Sequence, residues 1–202
     1  MIKLGLTGSI GMGKSTIAAM FRDEGVPVWD ADDAVHSLYA SSFIAQKQLS
    51  EAFGDVLTGG HVDRAKLSAA LKTTDGGFDK LNAIVHPLVV ADRKRFMDNA
   101  EHQKSALIVA DIPLLYETGA EAYLDDVLVV SAPADIQRQR VMARPGMTED
   151  KFAAILSRQM PDAEKRARAD FVIDTAQSLD ACRTEVRALI ARLTPAGEQI
   201  HM

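Results

Sequence analysis

Nine consecutive residues near the amino end of the chain have the types and spacing that bind phosphate. They are Gly8-Ser9-Ile10-Gly11-Met12-Gly13-Lys14-Ser15-Thr16, in which a glycine and four further residues precede a glycine, a lysine and a hydroxyl. Glycines let the backbone curl around an anion, so that several N–H groups converge on phosphate oxygens. The lysine reaches the β- and γ-phosphates of a nucleotide, and the serine ligates Mg²⁺. The segment predicts an ATP-binding P-loop, with contacts from Gly8, Gly11, Met12, Gly13, Lys14, Ser15 and Thr16.

The residues on either side of this loop support the prediction. Residues 2–7 form a short apolar run that indicates a buried strand, and Ile17, Met20 and Phe21 follow at helical spacing. Strand, loop and helix are the order that a phosphate-binding loop requires. The helix adds N-terminal N–H donors and the positive end of its dipole to the site.

Acidic residues follow two further apolar runs, where an open α/β sheet binds its ligands. The run at residues 26–30 ends in Asp30-Ala31-Asp32-Asp33, and the run at 106–111 ends in Asp111. The first cluster could hold Mg²⁺ or accept a proton from a substrate hydroxyl. We assign the functional role to Asp32 and the capping of the next helix to Asp33. Asp111 has the position of a Walker B carboxylate.

Five apolar runs separated by helical patterns predict an α/β protein with a parallel sheet. The strands are expected at residues 2–7, 26–30, 106–111, 127–131 and 171–174. Pro27 donates no hydrogen bond, so the second strand should begin there or lie at a sheet edge.

The helical stretch between the second and third strands is longer than an ordinary crossover, which predicts an insertion. Helices are expected at 34–53 and 63–71, then up to a disturbance at Pro87, and again from Val89 to Glu101. His86 is either a substrate contact or a histidine held at a helix boundary. The predicted domains are a core at 1–31, 104–140 and 168–202, an acceptor-binding insertion at 32–103, and a lid at 141–167.

The lid is predicted from a local excess of positive charge. Between Arg138 and Arg168 the chain has eight basic and four acidic residues, although its formal net charge is −5. A basic segment in an acidic protein with a phosphate-binding loop indicates a cover for a triphosphate. A helix capped by Thr148 and ended by Pro161 should form there, and Ser178 should cap the last helix. We expect the tail after Pro195 to be loose.

Composition excludes several classes of protein. Hydrophobic residues make up 47% of the chain, enough for a proper core, and no apolar run is long enough to cross a bilayer. The negative net charge argues against non-specific nucleic-acid binding. Cys182 is the single cysteine, so no internal disulfide can form. We expect a cytoplasmic protein that binds neither nucleic acid nor membrane, and that is a monomer or a weak homo-oligomer.

A phosphate-binding loop indicates nucleotide binding and leaves the reaction open. The sequence contains neither Asp-x-x-Gly nor Asn-Lys-x-Asp, which disfavours a GTP-dependent switch, and a motor normally needs more domain around the core. A small-molecule kinase accounts for the insertion and the basic lid together, because a closed lid excludes water that would hydrolyse ATP. A kinase of another small hydroxyl or phosphate acceptor, and a non-catalytic nucleotide-binding regulator, are the alternatives.

The sequence resembles the dephospho-CoA kinase family over nearly its whole length. The P-loop is common to many families, and a series of blocks in this order is more specific. These are Asp30-Ala31-Asp32, Asp63-Arg64, Lys80-Leu81-Asn82-Ala83-Ile84-Val85-His86-Pro87, Asp111-Ile112-Pro113-Leu114-Leu115-Tyr116-Glu117, Gln137 with Arg140 and Arg144, Gln159, and Ala169-Asp170. Thr175 stands where the family commonly has an asparagine near the adenine pocket.

The resemblance implies the P-loop kinase fold of the nucleoside monophosphate kinases and transfer of the γ-phosphoryl of ATP to the ribose 3′-hydroxyl of dephospho-CoA. It implies a catalytic set of Lys14, Asp32 and Arg140, with Arg140 and Arg144 approaching the phosphates. Substrate contacts are expected from Asp32, Arg64, His86 and Asp111, and Mg²⁺ contacts from Ser15 and Asp111.

Overall fold

The computed structural model of the chain describes residues 1–195, so the tail expected to be loose lies outside the described residues. Two compact units are present, one made of Met1–Trp29 and the chain from Ala100 onward, the other of Asp30–Asn99. The strands are β1 (Ile2–Thr7), β2 (Val28–Asp30), β3 (Leu57–Thr58), β4 (His61–Val62), β5 (Leu107–Asp111), β6 (Asp126–Ser131) and β7 (Phe171–Asp174). The helices are α1 (Lys14–Asp23), α2 (Ala31–Ser41), α3 (Phe43–Phe53), α4 (Arg64–Thr73), α5 (Gly77–His102), α6 (Ala134–Met142), α7 (Glu149–Leu156), α8 (Asp162–Arg168) and α9 (Leu179–Leu193).

A five-stranded parallel sheet with the order β2-β5-β1-β6-β7 organises the first unit, and it confirms the predicted fold class. In the register, β1 lies between β5 and β6, with Leu6 opposite both Asp111 and Leu128. The strand that leads into the P-loop is therefore central, and the strand that ends in Asp111 is its neighbour. The sheet order alone brings Asp111 to the edge from which the loop emerges.

Apolar side chains from the sheet and from two helices form the main core of the first unit. Leu6 and Leu128 of the sheet pack with Ile17 and Phe21 of α1 and with Val186 of α9, and all five are fully buried. Full burial of one such side chain stabilises the fold by about 1.5–3 kcal/mol. The helix that begins at Lys14 is thus fixed by its apolar face, which holds its amino end against the sheet.

Pro27 has both consequences expected of it. β2 begins one residue after it, and β2 is an edge strand of the sheet. The Pro27 carbonyl still accepts a hydrogen bond from the Val109 amide at 2.9 Å. Proline lacks only the donor, so it can border the sheet without leaving a buried N–H group unpaired.

The second unit has its own small core, which includes buried Leu49, Val56, Leu67 and Leu71. The single helix expected at 34–53 is wrong: α2 ends at Ser41, and Ser42 caps α3 by accepting a hydrogen bond from the Ala45 amide at 3.3 Å. Serine favours helix starts because its side chain replaces a missing backbone partner. The short antiparallel pair of β3 and β4 was not predicted, since two-residue strands give no alternation pattern.

The predicted disturbance at Pro87 is also wrong, because α5 continues through it from Gly77 to His102. A proline inside a helix removes the hydrogen bond that its N–H would give to the carbonyl four residues earlier. Here both Pro87 and Ala83 are exposed, so water can reach the carbonyl that loses its partner. The remaining turns of this long helix keep their bonds on either side.

Two assignments at helix boundaries need correction, whereas the predicted caps Thr148 and Ser178 are confirmed. The cap of α2 is Asp30, not Asp33: Asp30 Oδ1 accepts from the Asp32 and Asp33 amides at 2.9 and 3.1 Å. Thr148 caps α7 as expected, with its hydroxyl accepting from the Lys151 amide. That helix ends at Leu156 rather than at Pro161, and Pro161 instead precedes α8, where a proline is well tolerated. Among residues 1–195, no helix is both long and apolar enough to cross a membrane.

Candidate active site

The P-loop connects β1 to the amino end of α1, and no side chain caps that helix. Its N-cap is Gly13, which has φ 85° and ψ 15°, the left-handed conformation that glycine adopts without strain. Ser15 and Thr16, in the first turn, are exposed. The amino end of α1 therefore has two exposed hydroxyl residues where an anion can reach it.

Glycine is required at two positions of the loop by contact as well as by conformation. A Cβ at Gly11, which has φ 80°, would lie 2.5 Å from a methyl carbon of Val141. At Gly13 a Cβ would lie 3.1 Å from the Thr175 hydroxyl oxygen. The loop thus lies directly against α6 and against the turn that follows β7.

Lys14 and Asp111 form an ion pair at the centre of the site. Asp111 ends β5 with its side chain 1% exposed, and Lys14 begins α1 with its side chain 15% exposed. The pairing of β1 with β5 brings them together across 97 residues of sequence. Of the predicted residues, the structure therefore places the Walker lysine and the Walker B carboxylate in direct contact.

Two glutamine side chains hold the backbone of Ile10 inside the loop. Gln137 of α6 donates from Nε2 to the Ile10 carbonyl at 2.8 Å, and Gln159 accepts from the Ile10 amide at 3.0 Å through Oε1. Both backbone polar groups of one residue are thus bound by side chains. These contacts fix the first half of the P-loop, while the anion-facing half is free of them.

Arg140 and Thr175 form a second support beneath the loop. The guanidinium donates to the Thr175 carbonyl at 2.7 Å and to its hydroxyl at 2.9 Å, and the buried hydroxyl donates to the Met12 carbonyl at 2.8 Å. Met12 is itself 2% exposed, and its sulfur accepts a hydrogen bond from the Ala132 amide. The predicted cation Arg140 therefore lies at the base of the loop and positions a positive charge there.

A fully buried lysine lies behind the segment that follows Asp111. Lys165 Nζ is 2.9 Å from Glu117 Oε1 and 3.4 Å from the Pro113 carbonyl, which also accepts from the Thr7 hydroxyl at 3.2 Å. Burial raises the pKa of Glu117, but hydrogen bonds from Lys165 and the Met160 amide outweigh it and leave that pKa below its ordinary value.

The remaining predicted residues are exposed, and most belong to the second unit. Arg144 lies two residues after the end of α6. Asp32 lies in the first turn of α2, and His86 lies on α5 just before Pro87. Arg64 begins α4 and its Nη2 is 3.0 Å from Nδ1 of His36, a neighbour that the sequence did not indicate.

Four side chains that contact the site had no assigned role from the sequence: Gln137, Gln159, Glu117 and Lys165. Three of them lie inside blocks that resemble the dephospho-CoA kinase family, which is the signal that could have marked them. Lys165 had no such signal, because α8 is polar on all sides and nothing in its pattern distinguishes a buried lysine from a solvated one.

Comparison with known proteins gives the family. The model of the family described as dephospho-CoA kinase matches residues 2–181. This chain belongs to the dephospho-CoA kinase family. A dephospho-CoA kinase of Mesorhizobium japonicum is 53% identical over 193 residues, which cover 96% of this chain and 97% of that relative.

Solved structures agree with the family at the level of the fold. A Thermus thermophilus protein superposes with a TM-score of 0.79 at 35% identity, covering 96% of this chain and 98% of its own. The dephospho-CoA kinase from Campylobacter jejuni superposes with a TM-score of 0.71 at 25% identity, covering 95% and 96%. The chain is thus a P-loop kinase of the dephospho-CoA kinase family, with ATP as the implied phosphoryl donor.

Proposed function

We propose that this protein transfers the γ-phosphoryl group of ATP to the ribose 3′-hydroxyl of dephospho-CoA, giving CoA and ADP. The observation that carries the proposal is a P-loop whose Lys14 contacts a buried Asp111, in a chain that matches the family model over residues 2–181. In the reaction, the acceptor oxygen forms a bond to the γ-phosphorus. The bond from that phosphorus to the β,γ-bridging oxygen breaks, and its electrons leave with ADP.

The residue roles follow from charge and position. Asp32 accepts the proton of the acceptor hydroxyl, which is a task for an exposed carboxylate in reach of solvent and substrate. Lys14 follows the transferring group, and the amides from Gly11 to Thr16 bind the phosphate oxygens. Arg140, anchored at the base of the loop, and Arg144 add positive charge where negative charge develops.

The donor set fits Mg²⁺, the usual partner of ATP. Mg²⁺ keeps several waters and is bound by one or two protein oxygens together with phosphate oxygens, rather than by a cage of side chains. Ser15 and Asp111 supply such oxygens, and among the described residues no group of three or more His, Cys, Asp or Glu side chains could hold a metal alone. When bound, Mg²⁺ neutralises charge on the β- and γ-phosphates.

The segments outside the core complete the proposal. Residues 32–103 bind the acceptor, with contacts from Asp32, Arg64 and His86, and residues 141–167 cover the phosphates as a lid. One feature supports the assignment of the acceptor site: residues 30–99 form a compact unit with its own core. We further propose a cytoplasmic protein that is a monomer or a weak homo-oligomer, without nucleic-acid or membrane partners.

An assay of ADP release tests the proposed function. The purified protein is supplied with Mg·ATP and, separately, with dephospho-CoA, nucleoside monophosphates and gluconate. We expect dephospho-CoA to stimulate ADP release well above every other acceptor. Greater stimulation by another acceptor would indicate a kinase of different specificity, and stimulation by none of them would indicate a nucleotide-binding regulator.

A further inference from the structure

Lys165 is fully buried, although it belongs to a basic segment that the sequence assigns to a surface lid. Its side chain is 0% exposed, and its Nζ is paired with Glu117. Moving a charged pair out of water is costly, and an apolar pair of similar volume often stabilises a protein as well or better. A contribution to stability therefore explains this pair poorly. The pair is better explained by the neighbouring atoms that it holds in place.

The pair fixes the position of the turn between α7 and α8. Glu117 Oε1, which faces Lys165, also accepts a hydrogen bond from the Met160 amide at 2.7 Å. The residue before Met160 is Gln159, whose Oε1 accepts from the Ile10 amide of the P-loop at 3.0 Å. Two adjacent residues thus link the partly buried Glu117 carboxylate to the phosphate-binding loop.

The charge of Glu117 strengthens this link. Burial acts to raise the pKa of Glu117, but the hydrogen bonds from Lys165 and the Met160 amide lower it overall, so the carboxylate is ionised at neutral pH. A hydrogen bond to an ionised acceptor is shorter and stronger than one between neutral groups. Lys165 in turn keeps the carboxylate charged in a partly buried position and also contacts the Pro113 carbonyl at 3.4 Å.

We propose that Glu117 and Lys165 are positioning residues of the phosphate site. They hold the Met160 amide, which places Gln159 against Ile10 and keeps the P-loop in the shape that receives the nucleotide phosphates. Neither side chain contacts substrate in this account. The inference concerns the binding of a nucleotide at the P-loop. It rests on the proposed function only in taking that nucleotide to be the phosphoryl donor for dephospho-CoA.

Three variants separate positioning from packing. Gln159→Met keeps the length of the side chain and removes the acceptor for the Ile10 amide. The double variant Glu117→Met with Lys165→Met removes both charges of the pair and the acceptor for the Met160 amide. Its matched control, Glu117→Gln with Lys165→Met, also removes both charges but keeps an oxygen that can accept from that amide.

The measurements are the Kd for Mg·ADP by calorimetry, the melting temperature, and the KM values for ATP and dephospho-CoA. We call Glu117→Met with Lys165→Met the Met/Met variant, and Glu117→Gln with Lys165→Met the Gln/Met control. We expect Gln159→Met and the Met/Met variant each to weaken ADP binding about 10-fold, which is the effect of one lost hydrogen bond. The KM for ATP should rise in parallel, while the KM for dephospho-CoA stays within about 2-fold. The Gln/Met control should recover most of the affinity.

The effects should also be coupled. Adding Gln159→Met to the Met/Met variant should weaken ADP binding little further, since both changes break the same link. Wild-type ADP affinity in Gln159→Met would overturn the proposal, even if the double variants failed to fold. Equal loss in the Met/Met and Gln/Met variants would also overturn it. Failure of the wild-type protein to phosphorylate dephospho-CoA would count against the proposed function alone, because the comparison of ADP affinities needs no acceptor.

Discussion

Both backbone polar groups of Ile10 are bound by glutamine side chains, from residues 127 and 149 positions further along the chain. A P-loop must present several amides in one geometry, and glycine gives it little stiffness of its own. At the residue scale, the phosphate-binding loop is therefore held in place by side chains outside the motif. Gln137, Gln159 and Thr175 supply that support.

Lys14→Ala should reduce turnover by at least about 100-fold, since losing one charge-stabilising contact typically costs about 3 kcal/mol of barrier. The change also removes the ammonium that pairs with Asp111. Steady-state kinetics with dephospho-CoA measure it, and exposed Arg22 on the same helix gives the control Arg22→Ala. Turnover within a few-fold of wild type would exclude Lys14 from phosphoryl transfer.

Asp32→Asn should also lower kcat at least about 100-fold, with a small change in the KM for dephospho-CoA, because the amide cannot accept the acceptor proton. Asp33→Asn is a matched control: the two aspartates are adjacent, exposed and bound through their amides to the same cap, Asp30. Equal kinetics of the two variants would remove Asp32 from the role of base.

Thr175→Val should destabilise the protein by about 1–3 kcal/mol, because it removes the hydroxyl that donates to the Met12 carbonyl in a buried place. It also removes one acceptor of Arg140, which keeps its hydrogen bond to the Thr175 carbonyl. Thr175→Ser keeps the hydroxyl and should lose much less. Urea unfolding of both variants measures the difference. If serine and valine cost the same, the hydroxyl contributes nothing to the support of the loop.

Local chemistry explains which site residues were predictable from the sequence. Lys14, Ser15 and Asp111 were predicted because a glycine-rich loop and a carboxylate at the end of a strand can be recognised from a few consecutive residues. Thr175 and Gln159 form hydrogen bonds with backbone atoms more than 140 residues away in the sequence, and neither lies in a periodic pattern that would indicate such a contact.

At the scale of elements, the strands were more predictable than the helix boundaries. A buried parallel strand is an uninterrupted apolar run, and β1 and β5 each lie within one residue of their predicted bounds. Helix ends depend on single side-chain contacts, such as the Ser42 cap that separates α2 from α3. They also depend on solvent exposure, which lets α5 continue through Pro87. α8 was missed because it is short and polar.

The pair of Glu117 with Lys165 of α8 should make part of the stability depend on pH. Glu117 has a folded pKa below its unfolded value of about 4.3, so its contribution is present above that value and is lost as pH falls through the folded pKa. In that window, the free energy of unfolding of wild type should fall faster than that of the Glu117→Gln, Lys165→Met variant, by up to about 1.4 kcal/mol per pH unit. Urea unfolding across the acid range measures both slopes. Parallel slopes would show that Glu117 is not held ionised by its partners.

At the scale of the whole molecule, the chain consists of two compact units with separate cores. The insertion was predictable because helical patterns outrun an ordinary crossover between the second and third strands. The small hairpin of β3 and β4 inside it was not, since its pairing involves only four residues. The net charge disfavours non-specific nucleic-acid binding and the single cysteine excludes an internal disulfide, but neither indicates the reaction.

Hydrogen exchange should show that the two substrates protect backbone amides in different units. Mg·ADP is expected to slow exchange at the P-loop and at residues 140–160, while dephospho-CoA slows exchange within residues 30–99, around α4 and α5. Mass spectrometry of peptides from each unit measures the exchange, with samples that lack dephospho-CoA or ADP as references. Protection by dephospho-CoA confined to the first unit would contradict the assignment of the acceptor site.

The most direct test of the account identifies the reaction product. The protein is incubated with Mg·ATP and dephospho-CoA in equal amounts, and phosphorus NMR with mass spectrometry locates the new phosphate. We predict a single phosphomonoester on the ribose 3′-oxygen, formed in the same amount as ADP and formed at least about 100-fold more slowly with Asp32→Asn. ADP formed with inorganic phosphate alone, or a phosphate on any other oxygen of the acceptor, would contradict it.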